Sequence, residues 1–199
     1  MQMSTILSYV AVFLSVLMSM SILFSMLLTG VPTLSSSKAE VDDVIALIRL
    51  AKLPKHAVIM DLGSGWGTLL VELAQAFPGA SVQGVEISPF PYLVSRLRTR
   101  GLSNVAVRWG NFFHSDLSSA DAIVCYLMPS LMKPVSDWLD VATKPGACVV
   151  SNTFLFRGRT ISVARHGAFR GTVALYIWPA RHRMAGGSTG VSGEACVPK

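Results

Sequence analysis

Residues 58–67 read VIMDLGSGWG. The apolar run Ala57 to Met60 has the β-branched and aliphatic content of a buried strand, and it ends in Asp61. Gly63, Gly65 and Gly67 follow at every second position. After them TLLVELAQAF, residues 68–77, places Leu69, Leu70, Leu73 and Phe77 on one face of a helix. Strand, glycine turn and helix therefore succeed one another directly. Glycine tolerates positive φ and lets a ligand come close to the backbone, and the helix start offers unpaired amides across the turn. A dinucleotide-binding turn would read G-x-G-x-x-G. Here the spacing is G-x-G-x-G with an acid two residues ahead of the first glycine, so the ligand is of another kind.

Working outward, VQGVEI (residues 82–87) reads as the next strand, with Glu86 at its end, where an acid can accept from a ribose hydroxyl. Ser88-Pro89 opens a helix whose Arg96, Arg98 and Arg100 gather in its last turns, the end that the helix dipole favours for cations. Val105 to Trp109 is a third strand and runs into Gly110-Asn111-Phe112. Asp121 to Leu127 is a fourth, followed by Met128-Pro129-Ser130 and a helix through Val141. Lys144-Pro145-Gly146 turns into a fifth strand, Ala147 to Phe154. Thr160 to Arg165 and Thr172 to Trp178 read as a hairpin. The expected fold is α/β: a doubly wound, mostly parallel Rossmann-like sheet with an antiparallel C-terminal hairpin. Ligands of such sheets sit beyond the carboxyl ends of the strands, and Asp61, Glu86, Asn111 and the Tyr126 to Pro129 stretch all fall there.

Residues 6–28, ILSYVAVFLSVLMSMSILFSMLL, carry no charge, and their length matches the ~20 residues needed to span a bilayer. Apolar side chains surround the helix on all sides, which argues against a surface-lying amphipathic helix. A cleaved signal peptide is the rival reading. It would want a basic start and a small-residue cleavage site, and neither MQMST nor the region of Gly30 supplies one. The expectation is one retained N-terminal transmembrane helix within a membrane anchor, residues 1–29. Lys38, Arg49, Lys52 and Lys55 lie on its C-terminal side, which places the domain on the cytoplasmic face. Residues 30–37 form a linker. Ser37 and Glu40 have capping-box spacing before a helix to about Leu53, with Val41, Val44, Ile45 and Ile48 on one side and Leu47 flanking them. That helix is expected to pack on the edge of the core. Residues 38–179 make one domain, and the glycine-rich tail 180–199 reads as disordered.

Charged residues make up only 14% of the chain, which is low for a fully soluble protein, and all of them lie after residue 37. The net charge of +6 therefore belongs to the domain. No Lys/Arg run or aromatic-interleaved basic stripe points to nucleic acid, and a basic face beside an anionic bilayer accounts for the charge better. Cys125, Cys148 and Cys196 are odd in number and widely spaced, so neither a disulfide framework nor a metal site is indicated. They read as buried reduced thiols.

The pattern from Asp61 to Gly67 resembles motif I of the class I S-adenosylmethionine methyltransferases, (D/E)-x-G-x-G-x-G. The order of apolar helix, Gly30-Val31-Pro32-Thr33, short helix, D-L-G-S-G-W-G and Gly84-Val85-Glu86 resembles one group among them. These are the small membrane-anchored lysine methyltransferases that include the mitochondrial enzymes acting on the ATP synthase c-subunit and the adenine nucleotide translocase, with their bacterial relatives. The likeness covers roughly residues 30–156. It implies S-adenosylmethionine as cofactor, bound by Asp61, Gly63, Ser64, Gly65 and Gly67, with Glu86 gripping both ribose hydroxyls. Asn111 stands where the family usually carries an acid for the adenine amine, and its amide oxygen can still accept. Trp66 stands where a charged or polar residue is usual.

The resemblance also implies that Tyr126, Met128 and Pro129 lie where the substrate channel meets the methyl group. There an aromatic ring could hold a cationic amine or sulfonium, although Tyr126 reads equally as strand core. Displacement at a sulfonium needs alignment and exclusion of water rather than a metal or an acid/base pair. His56, ahead of the first strand, and His114, after the third, are accordingly given no catalytic role. The implied substrate is a lysine of a membrane protein beside the lipid bilayer. A lipid head group or quinone-like molecule is the alternative, and a non-catalytic cofactor-binding protein is another. The N6-adenine methyltransferase motif is absent, so nucleic acid is not the expected substrate.

Overall fold

The computed structural model describes residues 2–29, 37–166 and 171–180. The Gly30 to Thr33 stretch, residues 167–170 and the tail with Cys196 lie outside them. Two helices come first. α1, Gln2–Thr29, is 28 residues long, about 42 Å at the α-helical rise. It is long and apolar enough to cross a membrane, and the window Met3–Met20 is wholly exposed. α2, Lys38–Leu50, begins with the capping box: Ser37 Oγ accepts from the Glu40 amide at 3.4 Å, and Glu40 Oε2 accepts from the Ser37 amide at 2.7 Å. Its Val41, Val44, Ile45, Leu47 and Ile48 are buried.

The rest alternates as the sequence leads one to expect: β1 Val58–Leu62, α3 Thr68–Ala76, β2 Ser81–Glu86, α4 Pro89–Thr99, β3 Val105–Trp109, a 3₁₀ turn Phe112–His114, β4 Ala122–Cys125, α5 Pro129–Ala142, β5 Cys148–Thr153, β6 Val163–His166 and β7 Thr172–Ile177. Among the described residues the strands form one sheet in the order β3-β2-β1-β4-β5-β7-β6. The first five run parallel, β7 lies antiparallel to β5, and β6 pairs antiparallel with β7. This is the mostly parallel Rossmann-like sheet with an antiparallel C-terminal pair. α2 and α3 bury Leu47, Ile48, Leu70 and Leu73 against one face, with Ile59, Val82, Val124 and Val150. α5 buries Val135 and Leu139 against the other, with Leu62, Ile123, Val149 and Tyr176.

Three details differ from the sequence reading. α2 does not sit at the edge of the core; it packs over β5 and β7. β1 runs on through Leu62, so Asp61 is a strand residue that the ladder holds opposite Gly84 and Val124. β4 is shorter than expected and stops at Cys125, which frees Tyr126 and Leu127 from the ladder.

The segment between β5 and β6 carries no helix. One buried arginine fastens it instead. Arg159 donates to Ser136 Oγ of α5 and to the Ala180 carbonyl, pairs with Asp140, and lies 4.7 Å from the Trp178 ring. The cationic head is thus satisfied by two side chains of α5, by a carbonyl in the segment after β7 and by an aromatic face, the condition for burying it.

Candidate active site

The site is assembled at the carboxyl end of the sheet. Asp61 reaches it from β1 and Glu86 from β2, and both are buried. Between them the turn is closed by the Gly63 and Ser64 amides donating to the Val85 carbonyl, at 2.9 and 3.0 Å. Gly63, Gly65 and Gly67 have φ of +79°, +52° and +77°. The last is the most constrained: a Cβ at Gly67 would lie 2.5 Å from Ser95 Oγ and 2.9 Å from Ser95 Cα, so only glycine lets α3 start this close to α4.

The Glu86 carboxylate is fixed by two backbone donors. Oε2 accepts from the Gly65 amide at 2.8 Å, and Oε1 accepts from the Ser88 amide at 2.7 Å. Each oxygen keeps a second acceptor site. Asp61, by contrast, is pushed up to about 7, first by burial and then by the negative charge of Glu86. Two buried carboxyls side by side make a site for hydroxyl donors and for positive charge, because either would relieve their repulsion and desolvation. Ser64 Oγ is buried here without a hydrogen-bond partner.

In the loop after β4, beside the glycine turn, Tyr126 and Met128 are half-buried, and Pro129 is exposed at the first turn of α5. Leu127 between them is buried, and a Cβ on Gly63 would meet its Cδ2 at 3.4 Å. The glycine turn and the β4–α5 loop therefore share one wall. Asn111 is exposed, and its Oδ1 caps the 3₁₀ turn by accepting from the Phe113 amide at 3.0 Å. Trp66 packs edge-on against Phe90 at 5.8 Å, and its carbonyl accepts from Arg98 at 3.1 Å. That contact with α4 is a packing reason for an indole between two glycines. His114 ends the 3₁₀ turn, and His56 lies in the turn before β1, at the opposite end of the sheet. The Cys125 and Cys148 thiols are buried, and burial raises both to about 12, which leaves them inert.

The sequence reading overlooked the end of β5. Ser151 hydrogen-bonds the Phe154 carbonyl, Asn152 is buried with its Nδ2 unpartnered, and Thr153 sits at φ +69°. Cys125 of β4 pairs with Ser151, so this polar corner lies beside Tyr126. Three polar residues closing a strand of Cys and Val were the available signal.

Seven strands in this order, with a glycine turn and an acid pair at their carboxyl ends, define a Rossmann-like methyltransferase. The ANTKMT methyltransferase domain matches residues 61–162, just over half of the 199 residues, and the chain belongs to that family. A protein-lysine N-methyltransferase of Saccharolobus islandicus is 28% identical over 137 residues, covering 66% of this chain and 85% of the relative. An RNA methyltransferase from Salinibacter ruber, solved with S-adenosyl-L-homocysteine, superposes with a TM-score of 0.66 at 27% identity, covering 72% of this chain and 93% of that one. A precorrin-6y C5,15-methyltransferase from Geobacter metallireducens shares the fold at 17% identity and a TM-score of 0.51, over 71% and 90% of the two chains. The protein is an S-adenosylmethionine-dependent methyltransferase. When bound, that cofactor supplies a methyl group made electrophilic by a sulfonium. The buried acid pair, with its appetite for hydroxyl donors and positive charge, suits such a ligand.

Proposed function

We propose that this enzyme is a protein-lysine N-methyltransferase held at a membrane by α1, acting on an integral membrane protein from the cytoplasmic side. The observation that carries the reading is the joining of an ANTKMT-type domain to a charge-free 28-residue helix. The Saccharolobus islandicus protein-lysine relative supports the amine acceptor, and Lys38, Arg49, Lys52 and Lys55 support the topology. In this reading residues 1–29 anchor the chain, 30–37 link, 38–179 catalyse and 180–199 form a tail.

Asp61, Gly63, Ser64, Gly65, Gly67, Glu86 and Asn111 hold the cofactor. Tyr126, Met128 and Pro129 guide the acceptor. S-adenosylmethionine, when bound, would supply the methyl group, and these residues would bring a lysine amine that has shed its proton into line with it. The ring of Tyr126 favours the cationic partners electrostatically, and the apolar Leu127–Met128 wall keeps water from the line of attack. Tethering raises the effective concentration of a target lysine near the bilayer.

The test is methyl transfer from labelled S-adenosylmethionine into membranes, separated into protein, lipid and RNA. Label in protein lysines, falling sharply when residues 1–29 are deleted while cofactor affinity stays constant, is the expected result. Label in lipid or in RNA, the latter being what the Salinibacter neighbour acts on, would replace the lysine reading.

A further inference from the structure

Beyond the cleft, α4 and the edge strand β3 carry a surface that neither the core nor the methyl-transfer chemistry uses. α4 turns Pro91, Ser95 and Thr99 inward. Its opposite side therefore carries Leu93 and Leu97, 54% and 64% exposed. Trp109, at the end of β3, is 63% exposed. Its ring stacks on Tyr92 at 6.4 Å, and its indole N–H donates to the Ile87 carbonyl at 2.9 Å. The one polar atom of that side chain is satisfied by protein, so contact with water does nothing for the exposed ring. Single exposed apolar side chains need no explanation, but Ile87, Leu93, Leu97 and Trp109 gathered on one helix and the adjoining strand ends do.

The charge along this stretch of sequence has one sign. Residues 87–115 contain Arg96, Arg98, Arg100 and Arg108 and no Asp or Glu. Arg98 is turned toward α3, donating to the Trp66 carbonyl and to Thr68 Oγ1. Arg96 stands beside Tyr92, its Nη1 3.2 Å from the phenol oxygen, and Arg100 lies one turn past it on the leucine side. Arg108 is exposed on the reverse of the same edge strand. Leucines flanked by Trp, Tyr and Arg match the layers of an anionic bilayer surface: acyl boundary, headgroup level and phosphate. α4 is also a helix that α1 approaches, so the surface adjoins the candidate span.

We propose that the α4–β3 edge is a second membrane contact, an interfacial face that seats the domain on anionic phospholipid. This rests on the membrane reading above and adds an orientation to it. Ile87 directly follows Glu86, and Trp109 lies two residues before Asn111. Seating this edge on the bilayer holds the mouth of the cleft sideways to the headgroups, where juxtamembrane lysines lie.

The experiment uses the full chain reconstituted in phosphatidylcholine vesicles with or without phosphatidylglycerol, with acyl-brominated lipid as quencher. The Trp109 signal is isolated by subtracting the Trp109→Phe variant. Quenching about threefold stronger in the anionic vesicles, abolished by salt or by the combined Arg96→Gln, Arg100→Gln and Arg108→Gln substitutions, is the expected result. Leu97→Asp, on the solvent side of α4, is an independent handle and should abolish the quenching without altering cofactor affinity. Trp109 equally open to aqueous iodide in both lipids, with the protein still resisting carbonate extraction, overturns the docking face and leaves the anchor standing. Release by carbonate with lipid quenching intact supports the face and removes the spanning helix. Shielding of Trp109 by added RNA, and not by anionic lipid, overturns the proposal in favour of nucleic acid.

Discussion

On the β1–β2 side of the cleft, what is offered to a ligand is set by backbone: three glycines at positive φ, and a Glu86 carboxylate gripped by the Gly65 and Ser88 amides. On the β4–β5 side the offer comes from side chains on a loop and a strand end: half-buried Tyr126 and Met128, Asn152 with an unpartnered amide nitrogen, and Thr153 at positive φ. The first arrangement suits a ligand that never changes, because backbone donors cannot be retuned by substitution. The second suits an acceptor that differs between relatives, since loop side chains vary without disturbing the ladder.

The comparison breaks most openly at Gly65. Gly65→Arg puts a long side chain into a turn already at positive φ and should abolish cofactor binding by calorimetry, with circular dichroism unchanged. Retained binding would move the ligand away from this turn.

Next in size is the acid pair. Asp61 titrates near 7 when folded against 3.8 in the unfolded chain. The folded protein therefore binds that proton more tightly, and the stabilisation is complete below about pH 4 and lost as pH rises to about 7. The shift corresponds to an upper bound of roughly 4 kcal/mol. Urea titrations should show this fall in the wild type and its absence in Asp61→Asn; parallel pH profiles would mean that burial beside Glu86 does not raise Asp61.

Glu86→Ala should weaken cofactor binding by about 1–3 kcal/mol, because charge-assisted acceptors are lost and the Gly65 and Ser88 amides lose their partner. An unchanged dissociation constant would empty the β1–β2 side of its role. On the other side, Tyr126→Ala should lower turnover about tenfold while cofactor affinity stays within about twofold. Equal losses in both would merge the two halves into one site. The smallest effect is expected from Asn111→Asp, about two- to fivefold tighter cofactor binding. A carboxylate can keep the cap on Phe113 and accept more strongly from an amine. Weaker binding would place Asn111 away from the adenine.

Much of the fold was legible in short stretches, for reasons that are local. Strand β3 could be read residue for residue, and the Ser37–Glu40 capping box stands as its spacing implies, since both depend on near neighbours. Asp61 and Glu86 could be placed at the carboxyl ends of their strands because each closes an apolar run before a turn, and in a parallel sheet those ends converge whatever the strand order. The glycine spacing, likewise, needs only the steric demands of the turn itself.

Tertiary structure alone decided the rest. That α2 lies over β5 and β7 follows from a strand order in which β7 inserts between β5 and β6. The titration of Asp61 depends on how deeply it is buried and how near Glu86 comes. Gly67 is forced by Ser95, 28 residues away in sequence, and the polar corner at Asn152 matters because β4 brings Tyr126 beside it. Each is a meeting of segments far apart in the chain. A sequence records local steric and solvation preferences, whereas distance, burial and charge proximity exist only once the sheet has closed.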